Sequence, residues 1–291
     1  MQVVFHIGAH CTDEDRLVRC LLKNRGKLAA EGIVVPGPSR YRPILRETMG
    51  KLRGGEASPD TQEALLDAVM DEDSANRIIF SEEHFIGLPD KVLVANRLYP
   101  QAGERIKAMA NLFPQAQTEF HLAIRNPATF LPALHARQSG VGFEQFVAGV
   151  DLMALRWSDL IRRIREARPD CPLTVWCNED TPLIWIELFA AVAKHDPEAK
   201  LGGMYDLLSE IMSPTGMKRL RVYLGSHPPQ TILQRRRIVS AFLDKFGLAD
   251  QIEQELDLPG WTSEFVEDLT DHYEDDIAEI ERMDGVTFLA P

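Results

Sequence analysis

Gly8-Ala9-His10-Cys11-Thr12-Asp13-Glu14-Asp15 brings an imidazole, a thiol, a hydroxyl and three carboxylates into one short stretch. Ahead of it runs Val3–Ile7, short, apolar and β-prone; behind it a polar segment begins a helical pattern. A strand, a glycine-containing turn and a helix start form the layout with which α/β proteins hold phosphate. The free N–H groups of a helix N-terminus and its partial positive charge attract an anion. The side chains oppose that layout. No Lys stands in the loop, and three acids take the place where backbone and small residues would cradle an anion.

The same residues permit other chemistry. His6, His10, Cys11, Asp13 and Glu14, joined by Glu82 and His84, include nitrogen, sulfur and oxygen donors of the kind that suit a transition metal. Their spacing matches no metal motif, and no metal is expected. Cys11 at a helix N-terminus would gain thiolate character, which the adjacent acids counteract. Glu82, Glu83 and His84 end a second apolar run and offer a general base. Arg235-Arg236-Arg237, with Lys218, Arg219 and Arg221 upstream, is the densest basic stretch. It can meet a phosphate or sulfated ligand, although three consecutive arginines cannot share one helix face, so a solvated, salt-bridged helix is the simpler reading.

These residues need elements to position them. Apolar runs predict strands at 3–7, 33–35, 76–81, 119–124 and 173–177, with a possible last one at 285–289. Apolar residues at helical spacing predict helices over 13–31, 60–71, 103–113, 127–138, 143–148, 151–168 and 182–195, and one more within 37–58. Strands alternating with helices predict a parallel sheet with helices on both faces. The stretch from about 200 to 291 reads as a mostly helical, strongly charged part of one domain spanning 1–291. Ligands of open parallel sheets bind beyond the carboxyl ends of the strands. Those ends are Gly8–Thr12, Ser81–His84, Arg125–Pro127 and Asn178–Asp180.

The chain has 291 residues and a net charge of −12, which disfavours non-specific binding to nucleic acid or anionic membranes. Four cysteines without a CxxC pair read as buried free thiols. No leader-like segment and no membrane-length apolar run is present, so a cytoplasmic protein is expected. Trp157, Trp176 and Trp185 read as core, and Trp261, beside Pro259 and Gly260, as the tryptophan most open to solvent or a partner.

Phe5-His6-Ile7-Gly8-Ala9-His10, then Thr12, Leu21, Asn24, Leu28, Gly32 and Ile33, resembles the opening of bacterial sulfotransferase-family proteins. In that family the loop reads His-Ile-Gly-x-His-Lys-Thr-Gly-Thr-Thr. Ala123-Ile124-Arg125-Asn126-Pro127, Phe80-Ser81-Glu82-Glu83 and Tyr273-Glu274-Asp275-Asp276 resemble later family phrases. The resemblance implies a three-layer α/β/α fold of the P-loop nucleotide hydrolase-like type with a central, mainly parallel sheet. It implies 3′-phosphoadenosine 5′-phosphosulfate as sulfate donor, held by Gly8, His10, Thr12 and Arg125, and Glu82 or His84 as catalytic base. The sequence departs from the pattern at Cys11 (family Lys), Asp13 (family Gly), Glu14 and Asp15 (family hydroxyls) and Ala133 (family Ser). The expectation is a sulfotransferase-like protein with weak or absent donor use, a possible pseudoenzyme, acting on an unidentified small-molecule or protein partner. The alternatives are an active divergent transferase on a hydroxyl acceptor and a metal-assisted hydrolase built on the His/acid cluster.

Overall fold

The structure is a computed structural model that describes residues 1–138, 140–252 and 258–291. Its strands are β1 Gln2–His6, β2 Ile33–Val34, β3 Arg77–Ser81, β4 Leu93–Val94, β5 Arg97–Leu98, β6 Gln117–Ile124, β7 Leu173–Cys177 and β8 Val286–Leu289. The helices of its first half are α1 Arg16–Lys23, α2 Arg25–Ala30, α3 Pro38–Leu52, α4 Pro59–Val69, α5 Ala102–Ala110, α6 Pro127–Ala136 and α7 Phe143–Phe146. Then come α8 Trp157–Ala167, α9 Thr181–Ala193, α10 Asp206–Ile211, α11 Pro214–Ser226, α12 Ile232–Phe246, α13 Ala249–Ile252 and α14 Ser263–Ile280.

The central sheet has the order β2-β3-β1-β6-β7-β8, and every pairing in it is parallel. Parallel strands bury both faces, so they read as continuous apolar runs. Alternation then divides each strand between two cores. Val3, Phe5, Ile78, Phe80, Phe120 and Leu122 face one core with Tyr41, Ile106, Phe130, Trp157 and Leu269 from α3, α5, α6, α8 and α14. Val4, Ile79, Ala123 and Trp176 face the other with Leu17, Leu21, Leu28, Ile184 and Phe189 from α1, α2 and α9. Helices thus cover both sides, giving three layers. A smaller apolar cluster, including Leu208, Met217, Leu220 and Val239, joins α10, α11 and α12.

Two expected helices are broken. The helix expected over 13–31 starts at Arg16, because Glu14 and Asp15 take left-handed backbone conformations (φ 50° and 64°). It breaks at Asn24, whose Nδ2 donates to the carbonyls of Cys20 and Gly202. The helix expected over 151–168 becomes a short 3-10 turn at Leu152–Ala154 followed by α8. The last apolar run forms β8, which pairs with β7 and returns the chain's end to the sheet.

After β1 the chain moves to one side of it, forming β2 and β3, and then crosses to β6 on the other side. The carboxyl ends of β1 and β6 therefore lie at the point where the winding reverses, where open α/β sheets bind their ligands.

Candidate functional site

The loop after β1 stays tied to β6 before it turns. Ile7 N–H donates to His121 O (2.9 Å) and Ala9 N–H to Ala123 O (2.8 Å). Between them Gly8 has φ 67°, and a Cβ there would meet the Glu83 backbone at 3.2 Å, so both the backbone conformation and the close approach favour glycine. His10 N–H donates to Tyr99 Oη (2.9 Å), and the Tyr99 hydroxyl lies 2.8 Å from His10 Nδ1. An oxygen that accepts from the backbone gives its single proton to the ring, which fits a neutral imidazole. Burial, with His84 and Arg137 nearby, lowers the His10 pKa to about 3. Thr12 Oγ1 donates to Ala9 O (2.7 Å) and so turns inward to the loop itself.

Each acid in the loop has a partner. The Asp13 carboxylate accepts the backbone N–H of Leu17 in the first turn of α1 (2.8 Å). It therefore holds the helix-start position where an anionic ligand would sit. The residue at the cap position, Asp15, makes no side-chain cap bond. Its carboxylate instead takes both Nη atoms of Arg42 (2.5 and 3.1 Å). Glu14 pairs with Arg16 (3.4 Å) and Arg137 (3.3 Å). Arg137 also binds Glu83. Burial pushes the Asp13 carboxyl up to about 7, with Leu17 N–H pulling against it. Burial likewise pushes the Cys11 thiol up to about 11, although Arg137 and Arg125 pull it down, which removes the thiolate a nucleophile needs.

Just beyond β6, Arg125 donates through Nη1 to Cys11 O (2.6 Å) and through Nε to Thr129 Oγ1 (3.0 Å). It braces the loop backbone across the winding reversal. Asn126 caps α6 through Ala128 N–H (2.9 Å), its own N–H donates to Glu179 (2.8 Å), and Tyr273 Oη donates to the same carboxylate (3.2 Å). Ala133 sits in α6, half buried against the first core.

Glu82 and His84 form a second group at the end of β3. His84 Nδ1 lies 3.1 Å from Glu82, and Arg42 Nε lies 3.1 Å from the same carboxylate. Burial would raise the Glu82 pKa, but His84 and Arg42 outweigh it and hold the carboxyl below its ordinary range. A carboxylate so stabilised is a weak base. His84 is the more available of the two, with a side chain 33% exposed against 7% for Glu82. Its ring lies 5.1 Å from that of His10, so the β1 and β3 ends meet.

A cleft of about 850 Å³ opens beside the loop, large enough for a nucleotide-sized ligand. Cys11, Thr12, Asp13 and Arg125 line one side, and Leu207, Ile211 and Leu243 of α10 and α12 the other. Glu82 and His84 open instead into a separate cavity of about 110 Å³. The strand ends therefore form two neighbouring sites.

Of the four residues expected to hold a donor, Thr12 and Arg125 line the large cleft, whereas Gly8 and His10 lie in the same loop and are not among its lining residues. His6 departs from the group: it points to the other face of the sheet, where its Nδ1 bonds Ser81 Oγ (2.8 Å) and its ring stacks on Trp176. Among the described residues, no group of three or more His, Cys, Asp or Glu side chains is arranged to hold a metal ion. Arg235 and Arg236 both pair with Glu187 (2.7 and 3.0 Å), while Arg237 is exposed. Trp261 is 8% exposed and donates to Ala128 O (2.9 Å), so it belongs to the core and not to an open surface. Tyr99, Arg42 and Arg137 complete the site and were not singled out from the sequence. Arg42 lies 27 positions from Asp15 and Arg137 lies 123 from Glu14, separations at which no local pattern speaks. Among the described residues no helix is long and apolar enough to cross a membrane. Compared with models of known protein families, with curated proteins and with solved structures, the chain matches none.

Proposed function

We propose that this chain is a sulfotransferase-like protein whose donor loop is closed by its own carboxylates, so that 3′-phosphoadenosine 5′-phosphosulfate is used weakly or not at all. The observation that carries this reading is the Asp13 carboxylate at the start of α1, accepting Leu17 N–H where a donor phosphate would bind. The P-loop-like character of the fold is part of the same proposal. It is supported by the parallel sheet and by a β1–loop–α1 unit at the winding reversal.

The loop residues do not fit the donor. A like-charge pair 4 Å apart costs about 4 kcal/mol at an effective dielectric of about 20, and a phosphosulfate would face the Glu14 carboxylate and, above about pH 7, a charged Asp13 as well. The nearby cations are engaged: Arg42 by Asp15, Arg16 and Arg137 by Glu14, and Arg125 by the loop carbonyl.

Isothermal titration with 3′-phosphoadenosine 5′-phosphate tests the proposal. The wild-type chain is expected to show no low-micromolar binding. The quadruple variant C11K/D13G/E14T/D15T, which restores the family residues, is expected to gain it. Tight binding by the wild type overturns the reading.

An active transferase on a hydroxyl acceptor is the second reading. It is favoured by the open cleft, which Thr12 and Arg125 still line. It requires sulfate transfer from the donor to an acceptor by the wild-type chain.

A further inference from the structure

The small cavity at the end of β3 shares no lining residue with the large cleft. Three guanidiniums border it, Arg42 and Arg46 of α3 and Arg105 of α5, together with His84. The carboxylate among its lining residues is that of Glu82. Arginine therefore outnumbers acid three to one.

The three arginines differ in how they are held. Arg42 is fixed by Asp15, by Ser81 O (2.9 Å from Nη2) and by Glu82, so its position is set before any ligand arrives. Arg46 is 60% exposed and reaches Glu82 only at 3.9 Å. The Arg105 side chain makes no hydrogen bond or ion pair among the described residues. Two largely unengaged cations, beside a third whose fork Asp15 already takes, thus border one small space.

We propose that this cavity binds the terminal oxyanion of a small organic ligand, a phosphate or sulfate ester or a carboxylate. Guanidinium groups pair bidentately with such oxyanions, and Arg46 and Arg105 have donors to spare for one. The volume sets the scale. At about 30 Å³ per liquid water, about 110 Å³ admits an oxyanion head and little more. The body of the ligand must lie outside it. Leu88, half exposed, offers apolar surface at the mouth for that body, and the buried Met49 and Phe85 line the cavity itself. The ligand class is an anion with an apolar or aromatic part next to its charge.

The proposal does not rest on the donor-site reading, because it uses none of residues 8–15 as ligands. The test is calorimetric titration at fixed ionic strength with inorganic phosphate, phenyl phosphate and benzoate, with chloride as the control. Phenyl phosphate is expected to bind roughly tenfold or more tightly than inorganic phosphate if the apolar surface at the mouth contributes. Comparison of phenyl phosphate with benzoate identifies which oxyanion the cavity prefers. The double variant R46A/R105A is expected to lose roughly tenfold or more in affinity. R237A, on the exposed face of α12, is expected to bind as the wild type. Circular dichroism verifies that both variants are folded; should R46A/R105A not fold, R46Q and R105Q singly carry the same expectation in smaller steps.

Binding no better than chloride overturns the proposal. So does wild-type affinity in the folded double variant, or loss of binding in R237A. None of these results bears on nucleotide binding at the loop, so the two proposals fail separately.

Discussion

At the scale of single residues, Asp13 joins structure to pH. Its carboxyl is raised from 3.8 to about 7, chiefly by burial. An acid with a raised folded pKa binds more protons in the folded than in the unfolded chain between those two values. Its effect on stability therefore becomes less favourable as pH rises through that window. Asp13→Asn keeps an acceptor for Leu17 N–H and removes the charge. The expected outcome is a gain of about 1 kcal/mol near pH 8, discounted for partial exposure, and no gain near pH 4. Urea denaturation at the two pH values measures it; an equal change at both would show that charge is not the cause. The charge mismatch was legible in the sequence because adjacent residues declare it. The partners were not, because Arg42 and Arg137 reach the acids through the fold. Trp261 was misread for a related reason: its polar, Gly/Pro neighbours describe the backbone path, while its ring packs on Phe143 and Phe265.

At the scale of elements, helix starts separate what is local from what is not. Ser58, Asn126, Ser213, Thr231 and Thr262 cap their own helices through side chains two or three positions from the N–H they accept. Such starts can be read from sequence. The start of α8 cannot. Its cap position is Arg156, which makes no side-chain cap bond. Asp276 of α14, 3% exposed, supplies the acceptor instead, with Oδ2 taking Trp157 N–H (2.6 Å) and Ser158 N–H (3.2 Å). That distant carboxylate explains why the helix expected from 151 begins at Trp157. It also gives the Tyr273–Asp276 phrase a structural task, since Tyr273 bonds Glu179 in the same region. Asp276→Ala would leave two buried donors unpaired and is expected to cost about 2–4 kcal/mol. Asp276→Asn keeps an oxygen acceptor and is expected to cost less than half as much. Chemical denaturation of both variants checks the order; equal losses would place the effect in packing and not in the cap.

At the scale of the whole molecule, the sheet was legible because continuous apolar runs reveal doubly buried strands, while the polar groups carried within it were not. His6 and His121 are neighbours on β1 and β6, both 2% exposed, and His10 is fully buried. Burial lowers all three pKa values, to about 3 for His6 and His10. A base with a depressed folded pKa stays neutral in the folded chain while the unfolded chain takes up a proton below about 6.5. Stability from these groups is therefore complete above that value and is lost as pH falls toward the folded values. Asp13 works the other way over the same range, taking up its proton in the folded chain. Near pH 5 the unfolded chain would hold two extra protons on His6 and His10 and the folded chain one on Asp13, a net uptake of about one on unfolding, to which His121 adds in the same direction. Stability should then fall by about 1.4 kcal/mol per pH unit or more on the acid side, since each proton contributes about 1.4. Asp13→Asn should steepen that limb by about one proton, and His6→Gln should flatten it by about one, whatever either does to stability at neutral pH. Unfolding free energies measured in urea from neutral pH downward give the slopes. Parallel limbs in all three proteins would mean that acid unfolding is governed by other groups.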